Sequence, residues 1–210
     1  HPPVYQKDGM LVSERVRSNG AILVNENGQR FVNDLKGRDI VSGAELEQPN
    51  VNIFIVYDSQ FVEEKLYQKY EKLGMPVSGE TLEELAAAMG FDDEAAANFM
   101  ETVEKWNAAV RGEAEDEFGR NNGLISLEQA PFYAINIAPG IHHTMGGLKI
   151  DTETHVIDTN GDIIPGLFAA GEVTGGVHGG NRVGGNAVAD IVVFGRIAGA
   201  NASAYAEKQN

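Results

Sequence analysis

Apolar and polar positions alternate along this chain with periods that change several times, and each change predicts an element. Over Gly9–Gly20 the apolar spacing predicts a short helix, stopped at Asn19-Gly20 because glycine readily takes the left-handed closing conformation. Ala21–Asn33 carries two apolar runs around Asn27-Gly28, a strong hairpin signal. Arg38–Glu47 has helical spacing, and Val51–Tyr57 is apolar enough to be a buried strand. Acidic amphipathic helices are expected over Ser59–Lys72, Thr81–Met89 and Asp93–Val110, the last closed by Arg111-Gly112. Gly112–Gln129 is polar and irregular, as a surface loop would be, and Phe132–Ala138 returns as a strand before Pro139-Gly140.

Beyond Gly140 the pattern shifts. More than half of the 25 glycines fall in this last third, and a domain boundary is placed here, giving domains 1–141 and 142–210. Gly147–Asp151 and His155–Asp158 read as a strand pair, with Asn160-Gly161 turning the chain back. Ile163–Ala170 then leads into the run Gly171–Asp190, and Ala187–Ala198 leads out with helical spacing. That run interleaves glycines with Glu172, His178 and Arg182. Glycine lacks a Cβ, so a backbone built this way can approach another molecule closely. A linker would be Gly/Ser-rich without bracketing apolar elements, so the run reads as a ligand loop, with a structural turn cluster as the alternative. No internal repeat is visible.

Composition narrows the functional classes. With 210 residues, 42% of them apolar, the chain can bury a sizeable core. A formal net charge of -15 argues against nucleic-acid binding, which needs clustered Lys and Arg. The acidic excess between Glu63 and Glu117 reads as solvated helix faces. Absence of cysteine excludes disulfides, thiolate zinc sites, thiol nucleophiles and a Cys-attached haem within the chain. No continuous run reaches the roughly 18 apolar residues that suggest a bilayer span, so none is expected, and the compartment is left open. The chain starts at His1 and is expected to be a piece of a longer protein.

Candidate chemistry lies in three groups: His1, Ser13, Glu14, Arg17 and Arg38; His142, His143 and Thr144; His178 and Arg182. Such dispersal suits a cleft between domains. Arginine's planar guanidinium presents parallel donors matched to a carboxylate, so two Arg and two His can grip a small dianion. Taken singly, each has a plainer reading as a surface ion pair or a structural histidine. Adjacent His142 and His143 lack the i, i+4 spacing of helical metal ligands, and no metal site is expected. Ser13 has no Gly-x-Ser-x-Gly elbow, which disfavours a serine hydrolase. Glu172 suits either a buried ion pair or ligand hydroxyls.

Taken together, His1-Pro-Pro, Leu11–Asn25, Gly28–Asn33, Arg38-Asp39, Gly140–Gly147 and Pro165–Glu172 running on to Asn186-Ala187 resemble the soluble fumarate reductase family. That family lies within the wider succinate dehydrogenase and fumarate reductase flavoprotein superfamily, and the motifs occur in family order over essentially all 210 residues. The resemblance implies an α+β chain: an α/β capping (clamp) domain, 1–141, followed by the C-terminal segment, 142–210, of a Rossmann-like FAD-binding domain. The family's N-terminal half, with its Gly-x-Gly-x-x-Gly turn for the FAD pyrophosphate, has no counterpart here. It further implies non-covalent FAD, and fumarate held by His1, Ser13 and Glu14 at one carboxylate and by His142 and Arg182 at the other. Arg38 would be the proton donor, with Glu14 and Arg17 relaying the replacement proton. Gly171, Glu172, His143, Arg182, Gly184, Gly185, Asn186 and Ala187 would face the flavin. The electron donor, whether haem, flavin or NADH-linked, would lie outside the chain. Ser13 stands where the family usually has Thr, and Leu11 where Met is common. These departures leave urocanate, methacrylate or a cinnamate as alternative substrates, and a non-catalytic binding module as the alternative for an isolated piece.

Overall fold

The computed structural model describes residues 3–60 and 64–209. Its contacts divide the chain into two compact units, His1–Gly140 and Ile141–Asn210. The chain is mixed α and β, as expected.

The first unit is built on an antiparallel sheet of five strands: β1 (Pro3–Tyr5), β2 (Ile22–Asn25), β3 (Ile53–Asp58), β4 (Pro76–Gly79) and β5 (Phe132–Pro139). Their order is β1-β5-β3-β2, with β4 also pairing β5. The register runs from Ile53 opposite Ile137 to Asp58 opposite Phe132 along β3 and β5. Every residue of β3 is buried, because the sheet is covered on both faces. Alternation of side chains sends Leu23, Ile53, Ile55, Ile135 and Ile137 into one core, with Val16, Val41 and Tyr70. Those last three come from α1 (Arg15–Ser18), α2 (Arg38–Leu46) and α3 (Glu64–Lys72). Ile22, Val24, Phe54, Val56 and Ala134 enter the other core, against Leu85 of α4 (Leu82–Met89) and Phe99, Val103 and Trp106 of α5 (Asp93–Val110).

Capping fixes where these helices start. Thr81 Oγ1 accepts from the Glu84 amide at 3.2 Å, and Asp92 Oδ1 accepts from the Ala95 amide at 2.9 Å, satisfying donors that a helix N-terminus leaves open. Gly90, at φ 81°, closes α4.

Two expectations are corrected in this unit. Only Arg15–Ser18 of the segment 9–20 is helical. Residues 10–12 are drawn instead to β1, where Tyr5 N–H donates to Met10 O at 2.7 Å and Val12 N–H to Pro3 O at 3.0 Å. The Asn27-Gly28 turn forms, with Gly28 at φ 76°, but its second arm is not a strand. The Leu23 amide is taken by the carboxylate of Asp34 at 2.7 Å rather than by a strand carbonyl, and β2 pairs with β3. Strands β1 and β4 were not evident from the pattern, being only three and four residues long.

The second unit contains β6 (His155–Ile157), β7 (Ile163–Phe168) and α6 (Asn186–Glu207). The turn at Asn160-Gly161 joins β6 to β7, with Gly161 at φ 97°. Gly147–Asp151 makes no strand ladder with His155–Asp158 and contributes only isolated bridges, Leu148 to Thr174 and Ile150 to Val156. In place of a continuous apolar run, α6 has 22 residues with a mean hydropathy of 1.2 over its best window, long and apolar enough to cross a membrane by length and composition alone. The reading from uninterrupted runs did not pick out this stretch, which Asp190 and Arg196 break. Val188, Ile191, Val192 and Val193 of α6 are exposed.

Candidate functional site

In the first unit, the short α1 and the start of α2 bring Glu14, Arg17 and Arg38 together. Glu14 occupies the N-cap position of α1. Its carboxylate accepts two hydrogen bonds from Arg38, one from Nε and one from Nη2, a bidentate fork. On the other side Arg17 Nη2 lies 3.6 Å from Glu14 Oε1. One carboxylate therefore bridges two guanidinium groups.

The two arginines differ in setting. Arg38 is partly exposed, and its hydrogen bonds to Glu14 raise its pKa above the ordinary arginine value despite some burial. Arg17 is 5% exposed, and desolvation lowers its pKa even though Glu14, Glu45 and Asp34 oppose the shift. Burial thus makes Arg17 the better acid of the pair. Its Nη1 donates to Asp34 O at 2.8 Å, which anchors it, while its Nε has no hydrogen-bond partner among the described residues. Ser13 adjoins this group, but its Oγ accepts from the Arg15 amide at 3.3 Å and so serves the start of α1. The Ser13 amide donates to the Tyr70 hydroxyl at 2.7 Å. His1 lies outside the described residues.

In the second unit the glycine-rich run supplies a different cluster. The ring of His143 packs edge to face on that of His178, centroids 5.4 Å apart, and neither nitrogen of His143 has a hydrogen-bond partner among the described residues. His178 Nε2 lies 3.1 Å from Oδ2 of buried Asp190, which ties the loop to α6. Arg182 is 7% exposed and donates from Nη1 to Val183 O at 3.2 Å, whereas His142 is exposed. Glu172 is exposed too, and its Oε1 accepts from the Thr144 amide at 3.0 Å. Gly185, at φ 87°, is the N-cap of α6 and makes no side-chain cap. Gly184 and Asn186 beside it are exposed, and Ala187 is half-buried. Gly171, at φ 80°, is buried where an added Cβ would stand 3.0 Å from Ile191.

Part of the glycine requirement is internal. A Cβ at Gly147 would lie 2.3 Å from Val173 O, and one at Gly175 2.6 Å from Gly147 N. Here two backbone segments cross closely, joined by Leu148 N–H to Val173 O at 2.8 Å. The turn-cluster reading of this run therefore accounts for Gly175.

Sequence reasoning passed over a buried ionic network behind the first cluster. Asp34, fully buried, accepts from Arg30 Nη2 at 2.7 Å and Arg120 Nη1 at 3.1 Å, and Arg30 also pairs with Asp116. Both guanidinium groups lie over the Trp106 ring, at 4.8 and 4.7 Å from its centroid. Glu45, 1% exposed, was likewise missed. The signal available was a carboxylate on the apolar face of α2, in step with Arg38, Val41 and Ser42.

The sequence pattern of the FAD binding domain family matches residues 1–188. The chain belongs to this FAD binding domain family. Among its relatives, a probable fumarate reductase Ifc3 of Shewanella frigidimarina is 46% identical over 98% of this chain and 35% of its own length. An NADH:fumarate oxidoreductase of Klebsiella pneumoniae is 44% identical over 97% of the chain and 22% of its own length. The solved structure of the open conformation of a flavocytochrome c3 fumarate reductase superposes with a TM-score of 0.82 at 46% identity, covering 98% of this chain and 36% of that one. The chain thus spans about a third of the length of the Shewanella relative it matches.

As an FAD binding domain family member, the second unit offers groups that fit one side of such a cofactor. Gly185, with open space where a Cβ would stand, leaves the amide end of α6 unobstructed, and helix N-termini favour anionic and polar acceptor groups. The unpartnered ring nitrogens of His143 and the exposed carboxylate of Glu172 are available for hydrogen bonding beside it.

Proposed function

We propose that this chain is part of an FAD-dependent reductase that saturates the C=C bond of fumarate to give succinate, its residues 1–141 acting as the capping domain and 142–210 as the C-terminal segment of the FAD domain. The observation that carries the reading is the carboxylate of Glu14 gripped by Arg38 and flanked by Arg17. A surface ion pair needs no second, buried guanidinium behind it, whereas a proton relay does.

In this reading Glu172, His143, Gly171 and the Gly184–Ala187 backbone hold FAD without a covalent bond. When bound, FAD supplies a hydride from N5 to one alkene carbon of the substrate. His1 and Ser13, helped by Glu14, hold one substrate carboxylate, and His142 and Arg182 the other, which polarises the alkene and orients it. Arg38 then gives a proton to the neighbouring carbon: an N–H bond breaks and a C–H bond forms. A guanidinium is a very weak acid, so the step needs the strongly basic carbanion that forms as hydride arrives. Arg17 gives a proton to Glu14 as Glu14 passes one to Arg38, and solvent restores the proton on Arg17. The electron donor lies on a domain or protein beyond this chain. The exposed apolar residues of α6 pack, on this reading, against the remainder of the FAD domain rather than lipid.

The test uses the full-length protein that contains this chain, with a reduced dye as donor and fumarate, urocanate and acrylate as acceptors. Arg38→Ala is expected to abolish fumarate turnover with the flavin still bound, as read from its visible absorbance. Retention of more than a few per cent of activity overturns the proton-donor assignment. Faster turnover of urocanate or acrylate than of fumarate reassigns the substrate.

A further inference from the structure

Helix α1 carries two members of the proposed relay, Glu14 at its N-cap and Arg17 within it, yet it is only four residues long. It is closed by Ser18 N–H to Glu14 O at 3.2 Å and Asn19 N–H to Arg15 O at 3.0 Å. So short a helix does not hold its own geometry, since isolated helices below about 12 residues are marginal in water. Val16 sinks its side chain into the core, but apolar burial is non-directional and sets no orientation for the turn.

Directed contacts come from two residues distant in sequence, one at each end. At the N-terminal end the Tyr70 hydroxyl, from α3, accepts from the Ser13 amide at 2.7 Å, and Tyr70 is 1% exposed. At the other end Arg120, from the loop between α5 and β5, donates from Nη2 to Arg17 O at 2.9 Å and from Nη1 to Ala21 O at 2.8 Å. Nη1 also reaches the Asp34 carboxylate at 3.1 Å, Nη2 reaches Gly123 O at 2.6 Å and Nε reaches Asn122 O at 3.2 Å. All five N–H donors of this buried guanidinium are thereby used, which fixes it in place. Asp34 in turn accepts from Arg17 Nη1 through its own carbonyl at 2.8 Å. Arg17 is therefore held at its carbonyl by Arg120 and at its guanidinium by the ion-pair partner of Arg120.

We infer that Tyr70 and Arg120 are positioning residues of the Glu14–Arg17–Arg38 relay, holding the α1 turn so that Arg17 stays within reach of Glu14. The inference rests on the relay proposed above. Arg17 Nη2 stands 3.6 Å from Glu14 Oε1. Proton transfer needs roughly 2.6–3.2 Å, so a movement of about half an ångström closes the gap. A misplacement of about 1 Å costs on the order of a hundredfold in rate. Neither residue touches the substrate or gives up a proton on this account; each acts through the backbone of α1. Lysine in place of Arg120 keeps the charge, but its donors share one nitrogen and do not reproduce the planar fork that spans Arg17 O, Ala21 O and Asp34.

The experiment compares fumarate reduction by the full-length holoenzyme in wild type, Arg120→Lys, Tyr70→Phe, Asn107→Ala and Arg38→Ala. Arg120→Lys is expected to lower kcat by about tenfold or more and to enlarge the solvent deuterium isotope effect on kcat, with flavin content and the fumarate KM unchanged. Tyr70→Phe removes one hydroxyl and should lower kcat severalfold with the same enlarged isotope effect; it carries the test if Arg120→Lys does not fold. Asn107 anchors the same loop elsewhere, donating to Leu127 O at 3.1 Å and accepting from the Leu127 amide at 2.8 Å. Asn107→Ala should therefore lower the Tm while leaving kcat and the isotope effect as in wild type. A folded Arg120→Lys or Tyr70→Phe enzyme with unaltered kcat and isotope effect overturns the inference. So does an Asn107→Ala enzyme that matches Arg120→Lys in both, because loop stability would then account for the loss. If Arg38→Ala stays active, the relay itself falls, a result distinguishable from failure of Tyr70 and Arg120 alone.

Discussion

At the scale of single residues, the chain places its charges by burial. Arg182 is nearly inaccessible, and a buried guanidinium is retained where its fork of donors matters rather than its charge alone. Replacing it by lysine keeps the charge and loses the fork of donors that, on the proposed reading, grips a substrate carboxylate. Arg182→Lys in the full-length enzyme is therefore expected to raise the fumarate KM and lower kcat, and unchanged steady-state kinetics would remove Arg182 from substrate binding. The candidate residues were readable in the sequence because their types are unusual in their neighbourhoods: Arg182 and His178 among glycines, Glu14 and Arg17 at the end of an apolar stretch. Glu45 was readable only from its place in step with Val41 and Ser42, and Asp34 not at all, since an isolated acidic residue in a loop looks the same whether solvated or buried.

At the scale of elements, the same contrast explains which segments followed their local pattern. Helices α4 and α5 begin at Thr81 and Asp92 and bury apolar faces with helical spacing, so propensity, capping and packing all agree. Residues 9–14 have the spacing of a helix but meet β1, and a backbone pairing from elsewhere in the chain outweighs a short helix that propensity alone would leave marginal. The Asn27-Gly28 turn was legible, and its purpose was not: it docks on α5, where Thr102 Oγ1 donates to Gly28 O at 2.8 Å and Asn98 Nδ2 to Asn27 O at 3.1 Å. A Cβ on Gly28 would stand 2.1 Å from the Ala95 carbonyl oxygen, at φ 76°. Gly28→Ala combines a left-handed backbone with a backbone clash, and is expected to destabilise the protein by about 2 kcal/mol or more, read as a lower urea midpoint. An unshifted midpoint would mean that the turn and α5 do not pack as described.

At the scale of the whole molecule, the buried carboxyl of Glu45 couples folding to pH. Its pKa is raised from 4.5 to about 7 in the folded protein, so over that window the folded state holds a proton that the unfolded state releases. Stability therefore falls as pH rises through the window, by up to about 1.4 kcal/mol per pH unit from this group. Glu45→Gln removes the contribution, so the difference in unfolding free energy between wild type and variant should move in favour of the variant between pH 5 and pH 8. A difference independent of pH would mean that Glu45 is ionised throughout. The mixture of helices and strands, and a helix after the glycine-rich run, were legible from period, while the α+β class followed from the family resemblance. The strand partners were not, because ladders such as β5 with β3 join residues far apart in sequence, and local pattern carries no record of them.

Asp34 links several of these elements through one residue: its carboxylate takes the β2 amide of Leu23 and the guanidinium groups of Arg30 and Arg120, while its carbonyl takes Arg17. The edge of the sheet and the buried end of the proposed relay consequently share an anchor. An opening fluctuation that releases Arg17 from that carbonyl strains the same loop that covers the Leu23 amide, so hydrogen exchange at this one backbone position becomes a clock for the loosening of Arg17, ticking even when no substrate or donor is present.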